Sequence, residues 1–589
     1  MTTAQLDLTG IRVTPPWWRK WRTFVTGASA VTMATFTDAL AEVYEERSAF
    51  LLDRPIEASW FRGSVISYRD LNRFVRRAAD LLAKLGVHHG DRVALATSNR
   101  IEIAIVEFGA QRLGAVPVPI NYMLTRDEIR ELVERAGARV MVTDRTVFDG
   151  TLRDTTSLPS IEHWIMVTNR ATPPGVHSFD ALMSQALEDR PPALVAPDDP
   201  AVIFFTAGTT GLPKGAVLTS RGLMSGFLRY ARIAALTPTA TSHLALLVMP
   251  LAHTGGHQNL LIQLALARPC LVMGRFDPTA ILDFIERYRC TMFAGIPAMY
   301  RMLLEAGART RDLSSIRVWG GGGDAFPEDL VREFRDLTAH RVGPFTRRSA
   351  FITGYGLAET AGQVSISITP YLAGGDACVG FFLPGVKWRL VGADGQDVGP
   401  GEVGELWLKT RGLMKGYWND PEGTAAAITP DGWFRTGDLL KRGARFRNHF
   451  VAREKDMIKV GGYSVFPAEV EREVAAHPDV ERCVVVGMPH PTKGELPVAA
   501  VVLRSGATVT EDELLAWTDG KIAAYRRPRR IVAVDAIPEN FAMKPLRRHV
   551  KNQLLEMGVV AESRGDRVAS SKPRRARDRA PSKHREPTP

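Results

Sequence analysis

The chain has 589 residues, of which 45% are hydrophobic and 24% charged, an ordinary globular composition and, at about 150 residues per unit, enough chain for about three or four structural units. Its formal charge of +11 is concentrated at the ends, where nine Lys/Arg face four Asp/Glu from Glu562 onward and Arg12, Arg19, Lys20 and Arg22 face Asp7 in residues 1–36. The middle is only weakly basic, so the charge gives no reason to expect a nucleic-acid partner.

Residues 1–36 read as an N-terminal extension. Within it Pro15-Pro16-Trp17-Trp18-Arg19-Lys20-Trp21-Arg22 alternates aromatic rings with positive charge. That pattern suits a peripheral contact with an anionic membrane surface, and it equally suits tryptophans packed on a domain surface. From Phe36 onward, helical and strand-like segments alternate. The spacing predicts a helix over Phe74–Gly86, a strand over Arg92–Thr97, a helix over Ile101–Leu113 and a strand over Ala115–Ile120. Further strands are expected at Ala201–Phe205, His243–Met249, Cys270–Met273 and Ile316–Trp319. Such alternation predicts an α/β fold built mainly on parallel sheets. Beyond Gly380 the texture changes to short strands, Trp388–Val391, Gly404–Leu408 and Trp433–Thr436, which predict a small β-rich subdomain. The first large domain is expected to span 37–454. A smaller α+β domain is expected over 455–557, with a helix at Pro467–Ala476, strands at Val480–Val486 and Val498–Leu503, and a helix at Thr510–Trp517. Residues 558–589 form an Arg/Ser/Pro-rich basic tail with no hydrophobic periodicity, where disorder is expected.

The four cysteines, Cys270, Cys290, Cys378 and Cys483, form no CxxC pair, which argues against a disulfide framework or a zinc site and for buried free thiols. No apolar run reaches the roughly 18–20 residues of a membrane span, because Glu102, Glu107 and Arg112 interrupt Ile101–Ile120. The N-terminus lacks the basic-then-apolar order of a signal peptide, so a cytoplasmic location, with membrane association left open, is the expectation. A homodimer is also left open.

The densest local signal is Thr206-Ala207-Gly208-Thr209-Thr210-Gly211-Leu212-Pro213-Lys214-Gly215, directly after an apolar strand. Its glycines let backbone N–H groups approach an anion, its threonines add hydroxyl donors, and Lys214 adds a charge. It is not a Walker loop, since no Gly-Lys-Ser/Thr follows. Phosphate binding is the inference.

This segment resembles the phosphate loop of the adenylate-forming superfamily of acyl-CoA synthetases, luciferases and peptide-synthetase adenylation domains, usually T-S-G-T-T-G-x-P-K-G. The other motifs of that family follow in order. Tyr355-Gly356-Leu357-Ala358-Glu359-Thr360 resembles Y-G-x-T-E, and Gly401 to Leu406, Gly416-Tyr417-Trp418 and Asp431 to Asp438 come next. Arg453-Glu454-Lys455-Asp456, Gly461-Gly462-Tyr463, Phe466 to Glu471, and Pro538 to Lys544 with Arg547-Arg548 complete the series. The resemblance covers residues 40–555 or so. It implies ATP, Mg²⁺ and coenzyme A as cofactors and a small-molecule carboxylic acid as substrate, activated as acyl-AMP and then transferred to the thiol.

It also implies residue roles. Thr206, Gly208, Thr209, Thr210, Gly211 and Lys214 would hold phosphates. Tyr355 would stack on adenine, with Gly356 beside it and Gly322, Gly323 and Asp324 lining the other face of the base. Glu359 would ligate Mg²⁺, and Asp438 assisted by Arg453 would take the ribose hydroxyls. Lys544 would bridge the carboxylate and the α-phosphate, where charge develops in the transition state. Lys455 matches the hinge of a mobile C-terminal domain, and Lys459, Gly461 and Gly462 would border the pantetheine tunnel. The acid is ionised at pH 7, so adenylation needs no general base.

Three positions depart from the family pattern: Ala207 for serine, Ala358 for threonine, and Met543 for the glycine before Lys544. Each alanine removes a hydroxyl, a loss of about 0.5–1.5 kcal/mol, or about tenfold in rate at most. Met543 puts the backbone of the lysine loop in question if that position needs positive φ.

The acid would lie beside Pro250-Leu251-Ala252-His253-Thr254-Gly255-Gly256-His257, where His253 matches the family's residue near the substrate carboxylate; an ordinary core histidine is the other reading. Gly320–Gly323 is expected to form a small-residue floor that leaves room for a long or bulky acyl group. Fatty, steroid side-chain and aromatic acids stay open, with the N-terminal tryptophans favouring a lipidic one. The rival reading is a fatty acyl-AMP ligase that delivers its adenylate to a carrier protein, motivated by Ala358. A peptide-synthetase module lacks its carrier motif here, and a catalytically silent scaffold conflicts with the retained Lys214, Glu359, Asp438, Arg453 and Lys544.

Overall fold

The computed structural model describes residues 31–206, 213–235, 244–342, 344–370, 377–443, 447–460, 463–490, 493–539 and 544–560. The Trp17–Trp21 segment, the basic tail, Ala207, Gly208, Thr209, Thr210, Gly211, Gly461, Gly462 and Met543 lie outside the described residues. The chain divides into two compact units, Met1–Phe450 and Val451–Pro589, where the sequence reading put the division at 454/455.

The first unit is α/β. One sheet is wholly parallel, with order Val116–Pro119, Arg92–Ala96, Val140–Asp144, His163–Val167, Val176–Ser178. Its central strands are short and buried on both faces, as parallel strands between helices must be. The second sheet has a parallel run, Cys270–Val272, Ala245–Leu247, Met292–Gly295, Val318–Gly322 and Ala350–Leu357. Gly362–Thr369 then reverses direction against Ala350–Leu357. The expected β-rich subdomain forms from Lys387–Val391, Val403–Lys409 and Phe434–Arg442, all antiparallel, around Val364, Leu390, Leu406, Leu408 and Leu440. It extends the second sheet rather than standing apart, because Cys378–Phe382 pairs on one side with Gly362–Thr369 and on the other with Asn448 and His449.

The helix expected to start at Phe74 starts at Tyr68. Ser67 Oγ accepts from the Asp70 N–H at 3.0 Å, and Asp70 Oδ2 accepts from the Ser67 N–H at 3.3 Å, so a capping box with Asp in place of Glu sets the boundary. The helix Ile101–Arg112 is buried along its whole length. The charges that interrupt its hydropathy are each paired: Glu102 with Arg100 at 2.8 Å, Glu107 with His257 at 2.6 Å, and Arg112 with Asp38 at 2.5 Å. Buried charges persist only with such partners. Among the described residues, no helix is long and apolar enough to cross a membrane.

All four cysteines are free thiols, but only Cys270 and Cys290 are buried, while Cys378 and Cys483 are half-buried. Burial pushes the Cys290 thiol up to about 12, which removes it from nucleophilic chemistry.

The second unit is α+β. Val480–His490 and Gly494–Leu503 form a long antiparallel pair, and Gly494–Leu503 also pairs with Ile458–Val460 and, in parallel, with Arg530–Ala533. Helices Pro467–Ala475, Glu511–Trp517 and Arg547–Glu556 bring Val470, Val474, Leu514, Val550 and Leu554 onto a core of Val485, Val498 and Val501.

Candidate active site

The expected phosphate segment is the connection of a hairpin. Pro200–Thr206 pairs antiparallel with Lys214–Thr219, and Thr206 stands opposite Lys214. Gly416–Tyr417 adds as a third strand, with Gly416 opposite Val217 and Tyr417 opposite Ala216. Flanking backbone bonds from Lys415 N–H to Val217 O at 2.8 Å and from Trp418 N–H to Gly215 O at 2.7 Å fix it there. Thus the Gly416-Tyr417-Trp418 motif, to which sequence reading assigned no role, braces the hairpin expected to hold phosphate.

That bracing places Tyr417 under Lys214. The Lys214 ammonium lies 5.0 Å from the Tyr417 ring centroid and 3.7 Å from Asp420 Oδ2. Asp420 is held by its own helix start, where its carboxylate accepts from the Gly423 N–H at 2.7 Å. On its other edge Tyr417 Oη donates to Glu359 Oε1 at 3.0 Å. Burial, and then the charge and hydrogen bond of Glu359, push the Tyr417 phenol well above its ordinary range, so it stays protonated and a donor.

Glu359 is 8% exposed and sits in the single turn Ala358–Thr360 that follows the Ala350–Leu357 strand. Thr360 Oγ1 staples this turn to Leu357 O at 3.0 Å and Gly362 O at 2.8 Å, and the Met414 N–H bonds Glu359 O at 2.7 Å. Among the described residues, Glu359 Oε2 makes no hydrogen bond, and no group of three His, Cys, Asp or Glu could hold a metal by itself. One available carboxylate oxygen, joined through Tyr417 to the strand that carries Lys214, suits Mg²⁺, which binds through one or two carboxylates plus phosphate oxygens.

The expected nucleoside residues also converge. Tyr355 Oη donates to Asp438 Oδ2 at 2.6 Å, and Asp438 is 1% exposed. Asp438 follows Gly437, whose φ of 67° and N–H bond to Glu405 Oε1 at 2.9 Å turn the strand at that point. Gly356 lies against the backbone: a Cβ there would fall 2.2 Å from Gly362 O. Gly322 ends the Val318–Gly322 strand, paired with Gly354, and Gly323 follows with φ 80°. Asp324 is exposed, its Oδ1 accepting from the Ala325 N–H at 2.8 Å.

His253 is not a core histidine. It is exposed and caps the helix Thr254–Ala265, its Nδ1 accepting from the Gly255 N–H at 3.1 Å. The core histidine is His257, one turn on, paired with Glu107 and edge-on to Phe204 at 5.2 Å between ring centroids.

The glycine run does not form the open floor expected from sequence. Strand alternation sends its members to opposite faces. On one face a Cβ at Gly321 would fall 2.2 Å from the Phe326 ring, which packs edge-on against Tyr300 and Phe351. On the other, Gly320 lies beside Ala294, and the space a Gly354 side chain would take is filled by the Gln363 carboxamide. Neither Phe326 nor Gln363 was singled out in the sequence.

The second unit is described by itself. Arg453 is half-buried at the end of Asn448–Arg453, and Lys455 is exposed in the one-turn helix Glu454–Asp456. Lys459 is exposed on Ile458–Val460, and Lys544 is half-buried just before the helix Arg547–Glu556. Arg547 ties these segments together. It donates to Val485 O at 2.7 Å and Glu471 Oε2 at 3.0 Å and lies 3.8 Å from Asp456 Oδ2. Burial works against its charge, but Glu471 and Asp456 outweigh that and raise its pKa.

The chain matches the family described as AMP-binding enzyme over residues 39–418, and the AMP-binding enzyme C-terminal domain over residues 469–544. It is 34% identical over 496 residues to a feruloyl-CoA synthase of Amycolatopsis sp, covering 83% of this chain and 94% of that protein. It is 32% identical over 514 residues to an indoleacetate–CoA ligase of Aromatoleum aromaticum, covering 84% and 94%. Among solved structures, ATP-bound MatB from Rhodopseudomonas palustris is similar with a TM-score of 0.76 at 28% identity, covering 90% of this chain and 100% of that one.

Proposed function

The chain belongs to the AMP-binding enzyme family and is an AMP-forming acid–thiol ligase using ATP and coenzyme A, and from that premise we propose that its acid is a compact aromatic carboxylic acid. The observation that carries the acid class is the filled glycine run. Phe326 fills the space at Gly321 and Gln363 fills that at Gly354, so this run does not offer a long acyl chain an open floor. The named acids of the relatives, feruloyl and indoleacetyl, support the same reading. The N-terminal tryptophans that favoured a lipidic acid lie outside the described residues.

In the proposed mechanism Lys214 and the 206–211 segment hold the ATP phosphates. Glu359, oriented by Tyr417, would hold Mg²⁺, and the ion would offset phosphate charge. Tyr355 takes adenine, and Asp438 with Arg453 takes the ribose hydroxyls. The acid, already ionised, attacks the α-phosphorus without a base and displaces pyrophosphate to give acyl-AMP, and Lys544 stabilises the charge that builds there. Lys459 and residues 461–462 serve the thiol in the second half-reaction.

The test is a panel of benzoic, phenylacetic, phenylpropenoic and C8–C16 fatty acids, with pyrophosphate release and acyl-CoA measured for each. Phenyl acids are expected to exceed fatty acids in kcat/KM by about tenfold or more, since a hydrophobic pocket discriminates by about 10–200-fold per misplaced group. Preference for fatty acids would overturn the acid class. Acyl-AMP that accumulates without acyl-CoA would instead favour the carrier-protein ligase.

A further inference from the structure

Gln363 fills the space that Gly354 leaves open. Val318–Gly322 and Ala350–Leu357 run in register, with Gly320 opposite Ile352 and Gly322 opposite Gly354, so Gly320, Gly322 and Gly354 share one face with the larger Ile352. Ala294, opposite Gly320 on the next strand, continues it. The Gln363 carboxamide lies against this face. A Cβ at Gly354 would meet its Nε2 at 2.3 Å and its Cδ at 2.4 Å, and one at Gly322 would meet the same Nε2 at 3.6 Å.

The backbone of Gln363 is anchored from below. Its N–H donates to Gln258 Oε1 at 2.8 Å, and Gln258 is 5% exposed on the helix that His253 caps. Among the described residues the Gln363 carboxamide has no hydrogen-bond partner, and neither has Gln258 Nε2, which is buried. A helix that begins with the residue expected beside the acid's carboxylate therefore also positions an amide with a donor and an acceptor to offer. Apolar packing alone would be served better by leucine or methionine, which carry no polar group to desolvate.

We propose that Gln363 is a specificity-determining residue that hydrogen-bonds a polar substituent on the ring of the aromatic acid, a hydroxyl, methoxy oxygen or ring N–H, with Gln258 as its positioning residue. This deepens the proposed function and rests on it. Gln363 is half-buried, so an acid that covers its amide without offering a partner desolvates it and is disfavoured against one that bonds it.

The experiment compares 3-phenylpropenoic acid with its 4-hydroxy derivative in the full chain, by pyrophosphate release with ATP and coenzyme A. The wild type is expected to favour the hydroxylated acid by about tenfold or more in kcat/KM. Gln363→Leu and the near-isosteric Gln363→Met should bring the ratio within about twofold, through loss on the hydroxylated acid, with the KM for ATP unchanged. Equal use of both acids by the wild type, or an unchanged ratio in a folded, ATP-competent variant, overturns the proposal while leaving the acid class standing. If neither acid is adenylated but fatty acids are, the acid class itself fails and this inference with it.

Discussion

Tyr417 donates its phenolic proton to Glu359 Oε1 at 3.0 Å while the face of the same ring lies 5.0 Å from the Lys214 ammonium. One side chain therefore contacts both the carboxylate proposed for Mg²⁺ and the cation proposed for phosphate. Those two charges attract each other, and a direct ion pair would take both away from the nucleotide. The tyrosine keeps them apart, satisfying the lysine through its π face and the carboxylate through its hydroxyl.

Tyr417→Phe separates these contacts, because phenylalanine keeps the ring and loses only the hydroxyl. A hydrogen bond to a charged group contributes about 1.5–3 kcal/mol, so kcat/KM for ATP should fall by roughly tenfold to a hundredfold. Most of the loss should appear as weaker Mg²⁺ dependence, with circular dichroism unchanged. Wild-type Mg²⁺ and ATP dependence in Tyr417→Phe would remove the hydroxyl from the account.

The buried Glu107–His257 pair makes a prediction about stability. Both side chains are at most 2% exposed, and they join the helix Ile101–Arg112 to the helix that carries His253 and Gln258. Removing one partner strands the other in the core, at a cost of about 3–5 kcal/mol. Glu107→Leu and His257→Leu should each lower the thermal midpoint clearly, and the double variant should be less destabilised than the sum of the two. Additive losses would mean that the pair is not coupled.

What could be read before the fold was known follows from how the parts are encoded. The segment Thr206–Gly215, Tyr355, Glu359, Asp438 and Lys544 sit in short motifs that follow one another along the chain, so each could be proposed locally. Contacts between motifs were not. Tyr417 and Glu359 are 58 positions apart, Gln258 and Gln363 are 105, and Glu107 and His257 are 150, and no spacing rule connects such pairs. The run Gly320–Gly323 misled for a different reason. Glycine marks the absence of a side chain but not what fills the gap, and alternation assigns Gly321 and Gly322 to opposite faces only once the strand register is known. Likewise Ser67 and Asp70 move a helix start ahead of its apolar stripe, because the cap sets the boundary.

The role of Lys544 can be tested by splitting the reaction. Lys544→Ala should be assayed for pyrophosphate release from ATP and acid, and separately for transfer from synthetic acyl-AMP to coenzyme A. A cation that stabilises charge on the α-phosphorus is needed only in the first half-reaction, so adenylation should fall by about a hundredfold or more while transfer stays within about threefold of wild type. Equal loss in both halves, or none in the first, would contradict the account.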